Sequence, residues 1–312
     1  MIAQAVGFHS SGSLGVVQLA TANRDVFQYI TSSQAINGGK LEAREVSDAG
    51  SVNHLLAVNL SDAYVFLMDG DILTGAKQNR VLNTSVLLAP RSKTTIPVSC
   101  VEQGRWNSVS PTFSGVDYSA PPSMRASKAS HVRQNLRKEG DHLADQGEVW
   151  QNVSRQQELH RVSSPTDSLH DVYTHRASDL GAATKGFETV QGANGLALYH
   201  GKVLVSVDIF HRTDVFAEYF PKLVRGAAME LLGMPARKGT VGEAEARFRV
   251  LDLLDAAEEA EIEEFPGVAV GREFRSSVGD MQVCDLRVEG LSVHFGASRL
   301  ERKKAQQQGV RP

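Results

Sequence analysis

Cysteine is scarce in this 312-residue chain, which has only Cys100 and Cys284, and tryptophan is equally scarce, with Trp106 and Trp150. Two isolated thiols exclude a disulfide framework and a zinc finger, which needs four ligands at short spacing. No run approaches the ~18 consecutive apolar residues of a membrane helix. Met1 to Val6 has no basic region followed by an apolar stretch, so no signal peptide is expected. Neither sign of charge dominates: 33 Lys and Arg face 36 Asp and Glu, for a net charge of -3. That balance argues against a nucleic-acid binder or a basic membrane-surface protein. Gly-x4-Gly-Lys-Ser/Thr, Gly-x-Ser-x-Gly and His-Glu-x-x-His are all absent, which removes the P-loop, serine-hydrolase elbow and zincin readings. No metal site is expected, and no motif names a cofactor. These absences point to a soluble, reduced, cytoplasmic protein.

What is present reads as α+β. Short apolar runs at 14–19, 53–59, 63–68, 86–88 and 96–101 fit buried strands in a β-rich N-terminal lobe, residues 1–112. The three-residue connection Leu60-Ser61-Asp62 suggests a hairpin, and Pro97 suggests a sheet edge or a strand's start. A Ser/Pro-rich loop ends at Pro121-Pro122. A helical segment, 120–192, follows, with stripes at Ala129, Val132 and Leu136 and in a helix over about 144–161. Asp179 is a candidate N-cap for a third helix. The mixed lobe, 193–298, opens with paired strands around His200-Gly201. Helices follow, one of them containing Pro221, and an antiparallel meander turns at Glu289-Gly290. Residues 258–264 suggest an exposed helix end. Residues 1–298 read as one compact unit, because strands in both outer thirds can share a core. Residues 299–312 read as a basic, solvated tail.

The unusual segment is 69–106. Lys77-Gln78-Asn79-Arg80 places two cations and two carboxamides in succession. In an extended chain, Lys77 and Asn79 face one side and Gln78 and Arg80 the other, and either pair suits an anion with hydrogen-bonding groups. Cys100 and Glu102 share a strand face ~7 Å apart. Arg105 and Trp106 follow. A chemical reading makes Glu102 an acid/base, Arg105 a stabiliser of negative charge and Cys100 a nucleophile. Lys77, Gln78, Asn79, Arg80 and Trp106 would then hold the ligand. The plainer readings are a buried small thiol at Cys100, an ion pair bracing a turn at Glu102 and Arg105, and Trp106 in the core. Asp208, near the end of an apolar strand, suggests a helix cap.

The same residues carry a family resemblance. Gly70-Asp71-Ile72-Leu73-Thr74-Gly75-Ala76-Lys77-Gln78-Asn79-Arg80 and Pro97-Val98-Ser99-Cys100-Val101-Glu102-Gln103-Gly104-Arg105-Trp106 resemble the two long motifs of the ARPP family. Val207-Asp208-Ile209-Phe210 resembles a shorter third motif. The acidic position of the first motif is Asp71, where Glu is the commoner residue. The family is named for association with ADP-ribosylglycohydrolase (ARG) and with the rhodanese/phosphatase superfamily. The resemblance implies NAD- or ADP-ribose-linked metabolism and a small anionic partner, a nucleotide or ADP-ribose derivative, but no reaction. Two functions follow as expectations: an enzyme acting on that ligand, or a non-catalytic binding or scaffold protein whose polar cluster is a sensor pocket or structural core.

Overall fold

The computed structural model describes residues 2–22, 24–234 and 239–301. The first third contains β1 (Ala3–Ser11), β2 (Leu14–Thr21), β3 (Ile30–Thr31), α1 (Ser32–Asn37), β4 (Leu41–Glu45), β5 (His54–Asn59) and β6 (Val65–Leu67). It continues with β7 (Asp71–Gly75), β8 (Arg80–Leu82), β9 (Val86–Leu88), β10 (Lys93–Cys100) and β11 (Phe113–Ser119). The middle is helical: α2 (Pro122–Lys138), α3 (Gln146–His160), α4 (Leu169–His175) and α5 (Ala177–Ala183). The last third holds β12 (Gly195–His200), β13 (Val203–Phe210), α6 (Thr213–Gly233) and α7 (Glu243–Glu259). It closes with β14 (Glu263–Pro266), β15 (Arg272–Val278), β16 (Met281–Val288) and β17 (Leu291–Arg299). The α+β class is as the sequence implies.

An eight-stranded antiparallel sheet runs β1-β2-β12-β13-β17-β16-β15-β14, so both outer thirds of the chain contribute to one sheet. Its two faces are both covered. Val17, Leu19, Ala197, Tyr199, Val207 and Ile209 pack with Val250 and Leu254 of α7. Leu14, Val16, Leu196, Leu198 and Phe210 pack with Phe216, Tyr219 and Leu223 of α6. Double coverage explains why β2 reads as a continuous apolar run instead of an alternating one. Helix α2 lies beside α6, over β13, β17 and β16. The N-terminal strands form a six-stranded sheet, β11-β7-β8-β10-β5-β4, and a three-stranded sheet, β3-β6-β9.

Several local expectations hold. β12 and β13 pair around His200-Gly201. At the β16–β17 turn, Glu289 and Gly290 both have positive φ, 51° and 80°, the geometry a two-residue hairpin needs. Others fail for physical reasons. β5 and β6 do not pair; they enter different sheets, because a short loop does not force a hairpin. Pro97 is neither at an edge nor at a strand's start, because β10 begins at Lys93 and lies between β8 and β5. It sits where β10 stops pairing with β5 and begins pairing with β8, and its missing N–H falls at that switch. The Ser/Pro-rich stretch before Pro121 is not all loop: β11 (Phe113–Ser119) runs through it. β1, β4 and β14 are further strands beyond those expected, and the meander's first strand begins only at Arg272, after Val268 and Val270. α7 ends at Glu259, before the acidic run finishes in β14. Asp179 lies inside the first turn of α5 instead of capping it. α6 continues unbroken through Pro221. Of the expected tail, Arg299 belongs to β17, and residues 302–312 lie outside the described residues.

Candidate functional site

Residues 76–79 form a turn between β7 and β8 instead of continuing a strand to Arg80, so their side chains do not alternate. They fold inward around the next motif. Glu102 takes a two-point grip from Arg105, with Nε donating to Oε1 at 2.8 Å and Nη2 to Oε2 at 2.7 Å. It also accepts from the Asn79 backbone N–H at 3.0 Å and the Thr166 hydroxyl at 2.9 Å. Burial pushes the Glu102 carboxyl up, but Arg105, Asn79 and Thr166 outweigh it and hold it below the ordinary value. Arg105 further donates to the carbonyls of Ala76, Asn107 and Gly75. Arg80 is fully buried; it donates to Gln78 Oε1 at 2.9 Å and the Ser51 carbonyl at 3.2 Å. Asn79 bridges Arg105 and Ser168.

Cys100 is 0% exposed and donates from Sγ to the Glu102 carbonyl at 2.9 Å. Burial raises its thiol pKa, the opposite of what a thiolate nucleophile needs. Its backbone is fixed by Gln146 at the start of α3, which both donates to and accepts from it at 2.8 Å. Trp106 departs from the core expectation. It is 42% exposed, with Lys77 Nζ 5.6 Å and the Arg80 guanidinium 5.7 Å from its ring centre. All eight residues therefore come together, Gln78, Asn79, Arg80, Cys100 and Glu102 buried and their polar groups turned on one another. Burial also raises the thiol pKa of Cys284. Both cysteines are expected to resist a thiol-specific disulfide reagent in the folded chain at pH ~8 and to react on denaturation. Rapid native labelling of Cys100 would restore its claim to nucleophilicity.

A second cluster lies where α2 crosses the eight-stranded sheet. Along one row, Asp208 on β13 faces Gly296 on β17, which faces Cys284 on β16, which faces Arg275 on β15. Glu273 and His294 lie one step along the same face. From α2, Arg125 grips Asp208 at 2.6 and 2.9 Å and reaches Asp69 at 3.3 Å; Lys128 donates to Asp69 at 2.9 Å. Arg275 binds Glu273 at 2.6 and 2.8 Å and Thr84 at 2.9 Å. His142 approaches Glu273 at 3.2 Å. Asp208, Glu273 and Lys128 are all 0% exposed. Burial raises the Asp208 and Glu273 carboxyls. Facing guanidiniums, helped by His294 and His142 respectively, overcome that and hold each at about 2. Burial lowers Lys128.

Asp208 thus caps nothing. The α6 N-terminus is bound instead by Asp25, which accepts from the Thr213 N–H at 2.8 Å. Asp71 forms a third buried knot, accepting from Tyr219 at 2.8 Å, Ser32 at 3.0 Å and the Met68 N–H at 3.1 Å.

The second cluster encloses a cavity of about 20 Å³, walled by Asp69, Asn83, Thr84, Ser85, Arg125 and Arg275, with His294 and Cys284. That volume suits one water-sized group. Gly296 keeps it open: a Cβ there would lie 3.3 Å from the His294 ring and 3.6 Å from an Arg125 nitrogen. Two guanidiniums line the wall against the single carboxylate of Asp69, while Asp208 and Glu273 stand behind their arginines. Among the described residues, no group of three or more His, Cys, Asp or Glu is placed to hold a metal ion.

Sequence reading missed this cluster because its members are spread from residue 69 to 294. One signal was available. Asp208 occupies a core-facing place in the otherwise largely apolar run Val203–Phe210, and His294 lies between Val293 and Phe295; an uncompensated polar group there is costly.

The motifs converge from both directions. The segment after Met68 supplies Asp69 to the ionic cavity and Asp71, Arg80, Glu102 and Arg105 to the neighbouring knots, and the Val207-to-Phe210 stretch supplies Asp208. This arrangement belongs to an α+β protein with a buried ionic site between a helix and an antiparallel sheet. The chain is a member of the ARG and Rhodanese-Phosphatase-superfamily-associated Protein domain family, whose pattern matches residues 4–297. No curated protein and no solved structure matches it. Among the described residues, no helix is long and apolar enough to cross a membrane.

Proposed function

We propose that the chain is an enzyme acting on a small anionic molecule at the α2–sheet cavity. One observation carries this reading: the cavity wall presents Arg125 and Arg275 against one carboxylate, with Thr84, Ser85 and Asn83 beside them. Buried ion pairs add little net stability over apolar packing, so six charged groups in one core point to a role beyond stability. The cavity as it stands holds one water-sized group, so the charged end of a ligand enters it only as the wall side chains part. The family name, through ARG, favours a nucleotide or ADP-ribose derivative as that ligand, and the two free cysteines fit a cytoplasmic setting.

For the Lys77–Trp106 segment we propose the structural role. Glu102 and Arg105 use their hydrogen-bonding capacity on each other and on the turn, and Cys100 is sealed. The segment braces the 76–79 turn and the start of α4 behind the ionic cavity.

Phosphate, pyrophosphate and ADP-ribose are the probes. At ~100 times its Kd a bound ligand stabilises by about 2.7 kcal/mol, which raises Tm by a few degrees. Lys128→Met should abolish that rise, because the Lys128 ammonium, 2.9 Å from Asp69, offsets that carboxylate's repulsion of an anion at the wall. Absence of stabilisation by every probe would count against an anion site.

A further inference from the structure

From the wall of the same cavity, which Ser85 and His294 line, a hydrogen-bonded chain runs inward as Ser85–His294–Asp208. The Ser85 oxygen lies 2.8 Å from His294 Nδ1, and His294 Nε2 lies 3.2 Å from Asp208 Oδ1. The direction of the chain follows from its far end. Asp208 is gripped by Arg125 and stays ionised, so it only accepts. A neutral His294 must then carry its proton on Nε2 and present a lone pair at Nδ1. Ser85 must donate its hydroxyl proton to that lone pair. The tautomer is assigned from these bonds. The other side of the Ser85 oxygen accepts the backbone N–H of Asp69 at 2.9 Å, which favours negative charge on that oxygen. Ser85, His294 and Asp208 are all buried, and Phe66 and Phe210 pack against the imidazole at 5.7 and 4.8 Å between ring centres, which restrains its orientation.

We propose that Ser85 is a nucleophile activated by His294 and oriented through Asp208, and that the cavity hydrolyses an ester carrying negative charge. The proposal rests on the anion-binding reading of the same cavity. Serine, imidazole and buried carboxylate in this order perform acyl transfer on unrelated folds, so geometry and role define the device, not sequence position. Ser85 Oγ bonds to the carbonyl carbon or phosphorus while the leaving oxygen departs with its electron pair. The hydroxyl proton passes to His294 Nδ1 and on to the leaving oxygen. Water then attacks the acyl- or phosphoryl-serine, gives its proton to His294, and Ser85 recovers a proton as its bond breaks. Arg125 and Arg275 face the charge that develops on the substrate oxygens.

Methanesulfonyl fluoride is small enough to test a confined serine. It sulfonylates an activated hydroxyl and releases fluoride and a proton. In the full-length chain, peptide mass spectrometry should place one adduct on Ser85, formed at least ~10²-fold faster than in the urea-unfolded chain. His294→Gln should remove most of that acceleration. Phosphate should slow labelling. Turnover of the anionic acyl ester mono-p-nitrophenyl succinate or of p-nitrophenyl phosphate, lost in Ser85→Ala, decides between acyl and phosphoryl esters. Labelling no faster in the folded chain than in the unfolded one, or no adduct at Ser85, overturns the nucleophile. If phosphate still raises Tm in that case, the anion site stands without it. Labelling of Ser85 without any stabilisation by anions would instead remove the anion reading and keep the activated serine.

Discussion

Asp208→Asn is expected to cost about 3–5 kcal/mol of folding stability, read as a shift in the urea midpoint at constant slope. The carboxylate is 0% exposed and holds both terminal nitrogens of Arg125. Its neutral replacement keeps one amide-oxygen acceptor at most and leaves a fully buried guanidinium with only the longer ion pair to Asp69 at 3.3 Å. The effect is large because the loss is one-sided: removing one partner strands the other charge in the core. Glu264→Gln provides the contrast. Glu264 pairs with Arg272, but side-chain exposures of 47% and 55% leave both solvated, so a change within about 0.5 kcal/mol is expected. If the two variants cost the same, the ionic core contributes no more than a surface pair.

The pH dependence of stability should be dominated by three buried carboxyls of opposite sense. Asp208 and Glu273 have folded pKa values lowered from 3.8 and 4.5 to about 2. Each stabilises the fold fully above its unfolded value and loses that contribution, on the order of 2–3 kcal/mol, as pH falls toward 2. His160 and His211, lowered chiefly by burial, add to the loss on the acid side because the unfolded chain takes up their protons first.

Glu230 behaves in the other sense. Burial raises it from 4.5 to about 7, so its contribution is complete below 4.5 and disappears as pH rises through 7. Glu230 accepts the Ser123 N–H at the start of α2 at 3.1 Å, a bond the neutral side chain keeps. Glu230→Gln should therefore gain on the wild type by roughly 3 kcal/mol between pH 4.5 and 7. Chemical denaturation of both proteins at several pH values measures that difference. A difference that stays constant across the window would show that Glu230 is charged in the folded chain.

How legible the molecule was depends on the distance over which each feature is determined. The Glu102–Arg105 pair, three residues apart, is visible as a brace in the sequence, and the structure forms it. The Glu289-Gly290 turn is visible for the same reason, since its backbone angles are a property of two adjacent residues. The Leu60-Ser61-Asp62 connection shows where local reasoning ends. Its flanking strands look like a hairpin, yet the better partners for β6 are β3 and β9. Cys100 shows the same for chemistry. Thiol, carboxylate and cations are adjacent in sequence, but burial, a tertiary quantity, raises the thiol pKa.

The sequence by itself determined the α+β class, the helical middle, the terminal meander and the family, because these rest on hydrophobic period, turn residues and contiguous motifs. The tertiary structure alone decided that β2 lies beside β12 and that Asp69, Ser85, Arg125 and His294 line one cavity, with Asp208 behind Arg125. Side-chain period reports which face a residue occupies, not which distant strand or helix comes to cover it. A buried charge acquires its partner, its pKa and its role only when that cover is in place.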